Sequence, residues 1–299
     1  MSLESLIERV EKLPEKAVIG DNAHTLRQSP LGSVPSDQTT AIENSGSQQL
    51  SATEALVLLR RDASRSLLLC SSLLAIGLVV LTIASQAYTI GSLAVSASVW
   101  CVVVALCWRF IDKHNHAEFG PANLVTALRA AFTSALVGFV PVAEQVTSPV
   151  WLWGIAIAAT VTLCLDGLDG YLARRSGLSS DYGARFDMET DAFLALIITL
   201  FIWQTGSTGI WILALGLMRY AFLAAAFWVP ALNNRLYPSM RRKVVCVIQV
   251  GALCLMLCPW LAPWQVSVVG LIAMACLIYS FATDVLWLVN NDRQVVIDH

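Results

Sequence analysis

The stretch of sequence that decides the fold is residues 150–203, which read VWLWGIAIAATVTLCLDGLDGYLARRSGLSSDYGARFDMETDAFLALIITLFIW. Two apolar runs lie on either side of a charged centre. The runs are continuous rather than alternating, which favours helices over strands. The segment 176–182, with a glycine and three serines, is typical of a turn. The stretch therefore predicts two helices that fold back on one another, with the charged residues where they meet.

The rest of the chain has the same apolar character. Of its 299 residues, 57% are hydrophobic and only 13% are charged, with a mean hydropathy of +0.66. Soluble domains carry about 25% charged residues, so an ordinary soluble enzyme is excluded, and so is a disordered chain. A net charge of −2 provides no basic excess for nucleic acid, which we do not expect as a partner. The class of protein that remains is an all-α polytopic membrane protein.

Spanning helices need ~20 mostly apolar residues, and we count eight candidate spans. None of the four loops that would lie outside contains Lys or Arg, whereas the other loops carry nearly all the basic residues. This asymmetry places both termini in the cytosol and predicts a multi-pass protein, which in a bacterium would lie in the inner membrane. The candidate spans are residues 67–86, 89–108, 123–142, 150–169, 187–203, 210–229, 244–258 and 266–289.

Four aspartates lie at the inner ends of the two helices of the deciding stretch. Asp166 and Asp169 share a helix face, and so do Asp187 and Asp191, because residues three or four apart are neighbours on a helix. The hairpin would bring the four carboxylates together, and four close anions need compensation. Carboxylate oxygens are the ligands that Mg²⁺ and Mn²⁺ prefer, and two such ions can bridge a diphosphate.

This pattern resembles the CDP-alcohol phosphotransferase family, whose signature is D-x2-D-G-x2-A-R-x8-G-x3-D-x3-D. Every fixed position of the signature is present in this chain. The resemblance implies a membrane transferase that moves a substituted phosphate from a CDP-alcohol to an acceptor hydroxyl and releases CMP. The matching residues are Asp166, Asp169, Gly170, Ala173, Arg174, Gly183, Asp187 and Asp191.

The resemblance also implies a role for each of these residues. The four aspartates would bind two Mg²⁺ or Mn²⁺ ions, and Asp191 would be the catalytic base. The cytidine diphosphate would be bound by Asp169, Gly170, Ala173, Arg174 and Gly183. Asn123 and Thr126, in a segment similar to the one that opens the family's first core helix, would also contact the nucleotide.

Basic residues outside the signature are candidates for binding the acceptor. Arg129 and Arg219 lie within predicted spans, where an unpaired charge is costly and usually functional, and Lys243 follows two arginines at the start of the seventh span. We predict an acceptor role for all three. We expect Glu189 to be structural, Asp284 to be a helix-end residue or a polar partner, and His114 and His116 to lie on a solvated loop.

The resemblance defines the domain organisation that we expect. Residues 117–290 would form the six-helix catalytic core, and residues 66–110 would add two N-terminal transmembrane helices. Residues 1–65 would be a partly disordered cytosolic tail, and residues 291–299 a cytosolic C-terminal tail. Membrane lipids would surround the protein, and a homodimer is the family's common state.

Several functions stay open at this point. The first is phosphatidyl transfer from CDP-diacylglycerol to a small polar alcohol, in phospholipid biosynthesis. A transfer of the CDP-choline or CDP-ethanolamine type to a lipid alcohol is the alternative. An intramembrane prenyltransferase would read N-D-x2-D-x3-D, but Leu165 and Ala173 occupy those positions. An ion-coupled transporter would not explain the Gly-x2-Ala-Arg spacing. The basic residues favour a phosphorylated acceptor, although the Pro and Lys typical of glycerophosphate-type members are absent.

Overall fold

A computed structural model describes residues 37–178, 180–229 and 239–297. Within these ranges the chain is all-α, with eight α-helices, three short 3₁₀ helices and no strand, as the sequence predicts. The 3₁₀ helices are Ile111–Lys113, Val140–Gln145 and Ile210–Ile212. The α-helices are α1 Asp37–Ala84, α2 Ile90–Phe110, α3 Gly120–Val137, α4 Pro149–Ser176, α5 Asp181–Gln204, α6 Leu213–Trp228, α7 Met240–Met256 and α8 Pro263–Ile297.

Among the described residues, five helical stretches are long and apolar enough to cross a membrane: Thr53–Ala84, Ile90–Lys113, Pro149–Ser176, Ile210–Trp228 and Pro263–Leu288. All eight predicted spans have a helix at their position, but α3, α5 and α7 are not among the five. The physical reasons differ: α3 is long enough but contains Pro121, Asn123 and Arg129, which lower its hydropathy. Helix α7 has only 17 residues, and α5 carries several acidic residues in its first half.

The first helix is longer than the sequence predicts. It begins at Asp37, so the partly disordered tail expected over residues 1–65 is helical from that residue on. No proline interrupts residues 37–84, which allows one helix to continue through the polar segment. Residues 1–36 lie outside the described residues. Contacts divide the chain after Gln48, and the candidate site belongs to the unit Gln49–His299.

The short helix α3 lies at the centre of the bundle and packs against α2, α4 and α5. Small side chains on α3, such as Ala127, Ala130 and Ala131, are fully buried and permit close approach of the neighbouring helices. Its hydroxyl groups at Thr133 and Ser134 donate to carbonyls one turn earlier, so that they need no water. This arrangement surrounds the polar side chains of α3 with protein.

The two N-terminal helices are joined to each other and to the chain that follows. A stripe on α1 is buried, and Trp100 of α2 donates a hydrogen bond from Nε1 to Oγ of Ser71 on α1 at 2.9 Å. Nine residues earlier on α1, Asp62 accepts a hydrogen bond from the backbone N–H of Phe119, just before α3. The stripe is Leu59, Ala63, Leu67, Cys70, Leu74 and Leu78.

Candidate functional site

The predicted turn between the two signature helices is present. Helix α4 ends at Ser176, and Gly177 adopts φ +69°, a left-handed conformation that favours glycine. Helix α5 then begins at Asp181, where the Ser180 hydroxyl caps it by accepting a hydrogen bond from the Gly183 N–H at 3.0 Å. The last turns of α4 and the first turns of α5 therefore lie side by side.

Three of the four signature carboxylates converge at this junction. Asp166, Asp169 and Asp187 each offer an oxygen atom, and these atoms all lie within 4.8 Å of one another. Asp169 is buried, while Asp166 and Asp187 are partly exposed. Oδ1 of Asp169 accepts from the Gly170 N–H at 2.7 Å, and Oδ2 accepts from the Thr126 hydroxyl at 3.2 Å. These bonds fix the orientation of the buried carboxylate.

Arg129 lies at the centre of the acidic cluster, and its side chain is fully buried. Its Nη1 is 2.6 Å from Oδ2 of Asp169, 2.5 Å from Oδ1 of Asp187 and 3.3 Å from Oδ1 of Asp166. Its Nη2 donates to Oδ1 of Asp191, and its Nε donates to the Thr162 carbonyl at 3.1 Å. One guanidinium thus contacts all four signature aspartates.

This position gives Arg129 a structural role in addition to the acceptor role that the sequence suggests for it. A buried guanidinium that contacts four carboxylates acts as their internal counter-ion, because isolated charges cannot remain in a low-dielectric interior. Its hydrogen bonds are directed to the cluster and to α4. Arg129 therefore belongs to the acidic centre, and its role in acceptor binding stays a prediction.

Asp191 lies one turn beyond Asp187 on α5 and is connected to the other carboxylates through Arg129. About a third of its side chain is exposed. It therefore lies beside the acidic centre with part of its side chain accessible.

The residues predicted to bind the nucleotide surround the acidic centre. Asn123 and Thr126 on α3 are buried. A Cβ at Gly183 would lie 2.7 Å from Oδ1 of Asn123, so a larger residue there would displace the Asn123 amide. A Cβ at Gly170 would lie 3.5 Å from Nη1 of Arg174, which places a guanidinium over the bare backbone. Ala173, on the same face, is half-buried.

The other two basic residues predicted to bind the acceptor are Arg219 and Lys243. Arg219 is 2.5 Å from Oε1 of Glu189, while its Nε is buried with no hydrogen-bond partner among the described residues. Arg241 is 2.5 Å from Oδ1 of the buried Asp284, so Asp284 is a polar partner. The side chain of Lys243 lies outside the described residues.

His114 departs from the expectation of a solvated loop, because its side chain is buried while His116 is partly exposed. Its ring stacks on Tyr182, with ring centroids 5.5 Å apart, and its Nε2 lies 3.0 Å from Nδ2 of Asn123. Burial lowers the pKa of the imidazole below its usual value, and His116 adds to this, whereas a hydrogen bond to the Phe119 carbonyl opposes it. No sequence signal distinguishes this histidine from its neighbour.

The fold and the site define an integral, multi-pass, all-α membrane protein with an acidic centre at the junction of two helices. The family model for CDP-alcohol phosphatidyltransferase matches residues 119–285, more than half of the chain, and the protein belongs to this family. A search of the curated proteins and a search of the solved structures find no match to the chain. The matched region begins just before α3 and ends within α8, so α1 and α2 lie outside it.

The chemistry of the acidic centre fits the divalent metal use of this family. Its donor set consists of carboxylate oxygens from three aspartates, which is what hard divalent cations prefer. One guanidinium against four carboxylates leaves an excess of negative charge, which a divalent cation would reduce. Asp166, Asp169 and Asp187 could therefore hold such an ion.

Removing the Arg129 counter-ion tests this description. We expect R129Q to lower the free energy of unfolding by roughly 3–5 kcal/mol, because it leaves the buried Asp169 carboxylate, beside three further carboxylates, without its partner. Added Mn²⁺ should restore part of the loss by binding the folded state. The measurement is the melting temperature in detergent, with and without Mn²⁺.

The matched control is R60Q, which removes an ion pair with Asp112 in which both side chains are about half exposed. Such pairs contribute about 0–1 kcal/mol, so its melting temperature should stay close to that of the wild type. Equal melting temperatures for R129Q and R60Q would contradict the role of Arg129 as counter-ion.

Proposed function

We propose that the protein transfers a phosphatidyl group from CDP-diacylglycerol to the hydroxyl of a small polar alcohol and releases CMP, a step of phospholipid biosynthesis. The observation that carries the proposal is the convergence of Asp166, Asp169 and Asp187 within 4.8 Å, together with Asp191 on the next turn. These are the fixed acidic positions of the family signature, and they lie next to the glycines that leave room for a diphosphate.

Mg²⁺ or Mn²⁺ is the proposed cofactor, as two ions held by the four aspartates. When bound, the ions would neutralise the diphosphate oxygens and stabilise the leaving CMP. Arg129 keeps the carboxylates together, and the hydrogen bonds from Thr126 and Gly170 orient Asp169. The protein therefore holds the carboxylate ligands in position before the metal ions and the substrates bind.

The chemical step that we propose uses Asp191 as general base. Its carboxylate takes the proton of the acceptor hydroxyl, and the acceptor oxygen attacks the phosphorus that carries the diacylglycerol. A new P–O bond to the acceptor forms while the P–O bond to CMP breaks, and CMP leaves with the bridging oxygen. The partial exposure of Asp191 supports this role, because the acceptor must reach it.

The nucleotide would lie between the start of α5 and the polar face of α3. Asn123 and Gly183 form one wall, where the bare Gly183 backbone allows close approach. The guanidinium of Arg174, which lies over Gly170, is suited to binding phosphate oxygens. The small side chain of Ala173 leaves space for the nucleotide on the same face of α4. In this proposal Asp169 both binds a metal ion and contacts the nucleotide.

The acceptor would bind near Arg219. Buried polar groups normally have hydrogen-bond partners, and the unpartnered Nε of Arg219 is a donor that an acceptor oxygen would satisfy. Glu189 holds the other end of this guanidinium at 2.5 Å. Lys243 is a second candidate from the sequence. Because the charge of Arg129 is neutralised by the cluster and that of Arg219 is shared with Glu189, we do not limit the acceptor to phosphorylated alcohols.

We place the site at the cytosolic face, because the loops on that side carry the basic residues. A lipid donor would reach the site from the membrane, while a polar acceptor would arrive from the cytosol. The partial exposure of Asp166, Asp187 and Asp191 leaves room for both substrates to reach the carboxylates.

The activity is tested by CMP release from the purified protein in detergent. We expect CMP from CDP-diacylglycerol with Mg²⁺ or Mn²⁺ when the correct alcohol is supplied from a panel of serine, inositol, glycerol 3-phosphate, inositol phosphate, choline and ethanolamine. A chelator should abolish release, and added Mn²⁺ should restore it. CDP-choline with diacylglycerol tests the reverse arrangement. No CMP from either donor with any acceptor would overturn the proposal.

Replacement of the base gives a second test. We expect D191N to lose turnover by a factor of about 10²–10⁴, the usual contribution of general-base catalysis, while it still binds CMP. The measurements are CMP release and CMP binding by calorimetry. D181N, on an exposed residue in the first turn of the same helix, is the control and should retain turnover. Turnover near wild type in D191N would remove Asp191 as the base.

A further inference from the structure

The two N-terminal helices lie before the region that the family model matches, which begins at Phe119. Both helices nevertheless contact the helices that carry the acidic centre. We propose that α1 and α2 position the acidic centre: Asp62 fixes the start of α3, and Cys107 fixes the start of α5 through Tyr182. The inference rests on the metal site of the proposed function and assigns a role to helices outside the family match.

The first contact joins α1 to the start of α3. The backbone N–H of Phe119, the residue directly before α3, donates to Oδ2 of Asp62 at 3.0 Å. Phe119 is fully buried and provides no side-chain cap for the helix, and the next residue, Gly120, adopts φ +79°. A buried N–H group needs a partner, and Asp62 supplies it from another helix. Asp62 therefore fixes the point at which α3 begins.

The start of α3 leads directly to the side chains that hold the carboxylates. Thr126, seven residues after Phe119, donates to Asp169, and Arg129, three residues further on, contacts all four signature aspartates. Because backbone hydrogen bonds connect each turn of a helix to the next, a shift at the first turn also displaces these side chains. The contact with Asp62 therefore helps to set where α3 presents Thr126 and Arg129.

The second contact joins α2 to the start of α5. The hydroxyl of Tyr182 lies 2.8 Å from Sγ of Cys107 and donates to the Cys107 carbonyl at 3.4 Å. Both side chains are buried, and a buried hydroxyl normally has a partner within the protein. Tyr182 lies in the first turn of α5, five residues before Asp187 and nine before Asp191. This contact therefore fixes the end of α5 that carries the two carboxylates.

The two contacts act together because α1 and α2 are joined to each other. Trp100 of α2 donates to Ser71 of α1, so Asp62 and Cys107 belong to connected helices. One of these helices holds α3, which carries the guanidinium, and the other holds α5, which carries two of its carboxylate partners. The pair α1 and α2 therefore sets the position of α3 relative to α5 at the acidic centre.

A positioning role and a purely structural role predict different results. If the contacts only stabilise the fold, their loss lowers the melting temperature, and the protein that remains folded binds Mn²⁺ with wild-type affinity. If they position the carboxylates, Mn²⁺ must itself order its ligands in the variants, and this cost weakens binding. The loss is limited by the free energy of the hydrogen bond removed, which corresponds to about tenfold at most.

The first test compares D62A with D62N. Alanine removes the acceptor of the Phe119 N–H, whereas asparagine keeps a carbonyl oxygen in its place. For D62A we expect the Mn²⁺ dissociation constant, measured by electron paramagnetic resonance in detergent, to rise by about three- to tenfold. D62N should recover most of the affinity. The Mn²⁺ concentration that gives half-maximal CMP release should rise in parallel, while the rate at saturating Mn²⁺ should approach that of the wild type.

The matched control for Asp62 is D112N. Asp112 also connects α1 to the chain that follows α2, through Arg60, but both side chains of this pair are about half exposed. D112N makes the same chemical change as D62N at a contact that does not reach α3 or α5 in our proposal. It should bind Mn²⁺ like the wild type.

The second test removes the contact with α5. Y182F keeps the aromatic ring and loses only the hydroxyl, so we expect the Mn²⁺ dissociation constant to rise by about three- to tenfold here as well. C107S keeps a hydrogen-bonding group beside this hydroxyl and should bind Mn²⁺ like the wild type. Y279F, which makes the same change at an exposed tyrosine of α8, is the control and should also bind like the wild type.

Melting temperatures in detergent show which variants are folded, and affinities are compared for folded protein only. If D62A does not fold, Y182F decides, and the reverse holds if Y182F does not fold. If neither folds, C107V, which removes only the thiol, decides. Wild-type Mn²⁺ affinity in the deciding variants would overturn the inference, and so would an equal loss of affinity in D112N and Y279F.

Failure of the inference and failure of the proposed function give different results. If the wild type releases CMP and D62A and Y182F bind Mn²⁺ like the wild type, only the inference is overturned. If the wild type binds Mn²⁺ but releases no CMP from any donor, the proposed transfer is overturned, while the Mn²⁺ affinities of the variants still decide the inference. If the wild type binds no Mn²⁺, the proposed metal site is overturned and the inference falls with it.

Discussion

The contact of one buried guanidinium with four carboxylates is the interaction on which the rest of the structure depends. Arg129 belongs to α3, while the aspartates belong to α4 and α5, so this contact fixes three helices around one point. Charges in a low-dielectric interior need partners in good geometry. Helix α3, which carries the guanidinium, is rich in small buried residues and packs against three neighbouring helices.

The same charge balance connects structure and chemistry. One positive charge does not neutralise four negative ones, and the excess makes the cluster suitable for divalent cations and, through them, for a diphosphate. Around this centre the side chains become smaller, at Gly170, Ala173 and Gly183, where a ligand would approach the backbone.

The sequence predicts those features that depend on local spacing. Each apolar run is confirmed as a helix, and the turn lies between Ser176 and Asp181. The spacing of Asp166, Asp169 and Asp187 predicts a cluster, and in the structure their carboxylate oxygens lie within 4.8 Å of one another.

Contacts between residues far apart in the chain cannot be predicted from local spacing. Arg129 is 40 residues from Asp169, and an arginine inside a span is equally compatible with acceptor binding. His114 differs from His116 only through Tyr182 and Asn123, which come later in the chain. The helical continuation of α1 back to Asp37 was missed because its composition is typical of a linker.

The most direct test of the central claim is the electron paramagnetic resonance spectrum of Mn²⁺ titrated into the purified protein in detergent. The account predicts saturable binding, with a spectrum altered from that of free Mn²⁺ and sensitive to CMP. D169N, which changes the buried ligand and leaves the exposed carboxylates in place, should lose this signal. Free Mn²⁺ at every protein concentration, or the same bound signal in wild type and D169N, would contradict the assignment of the acidic centre as the metal site.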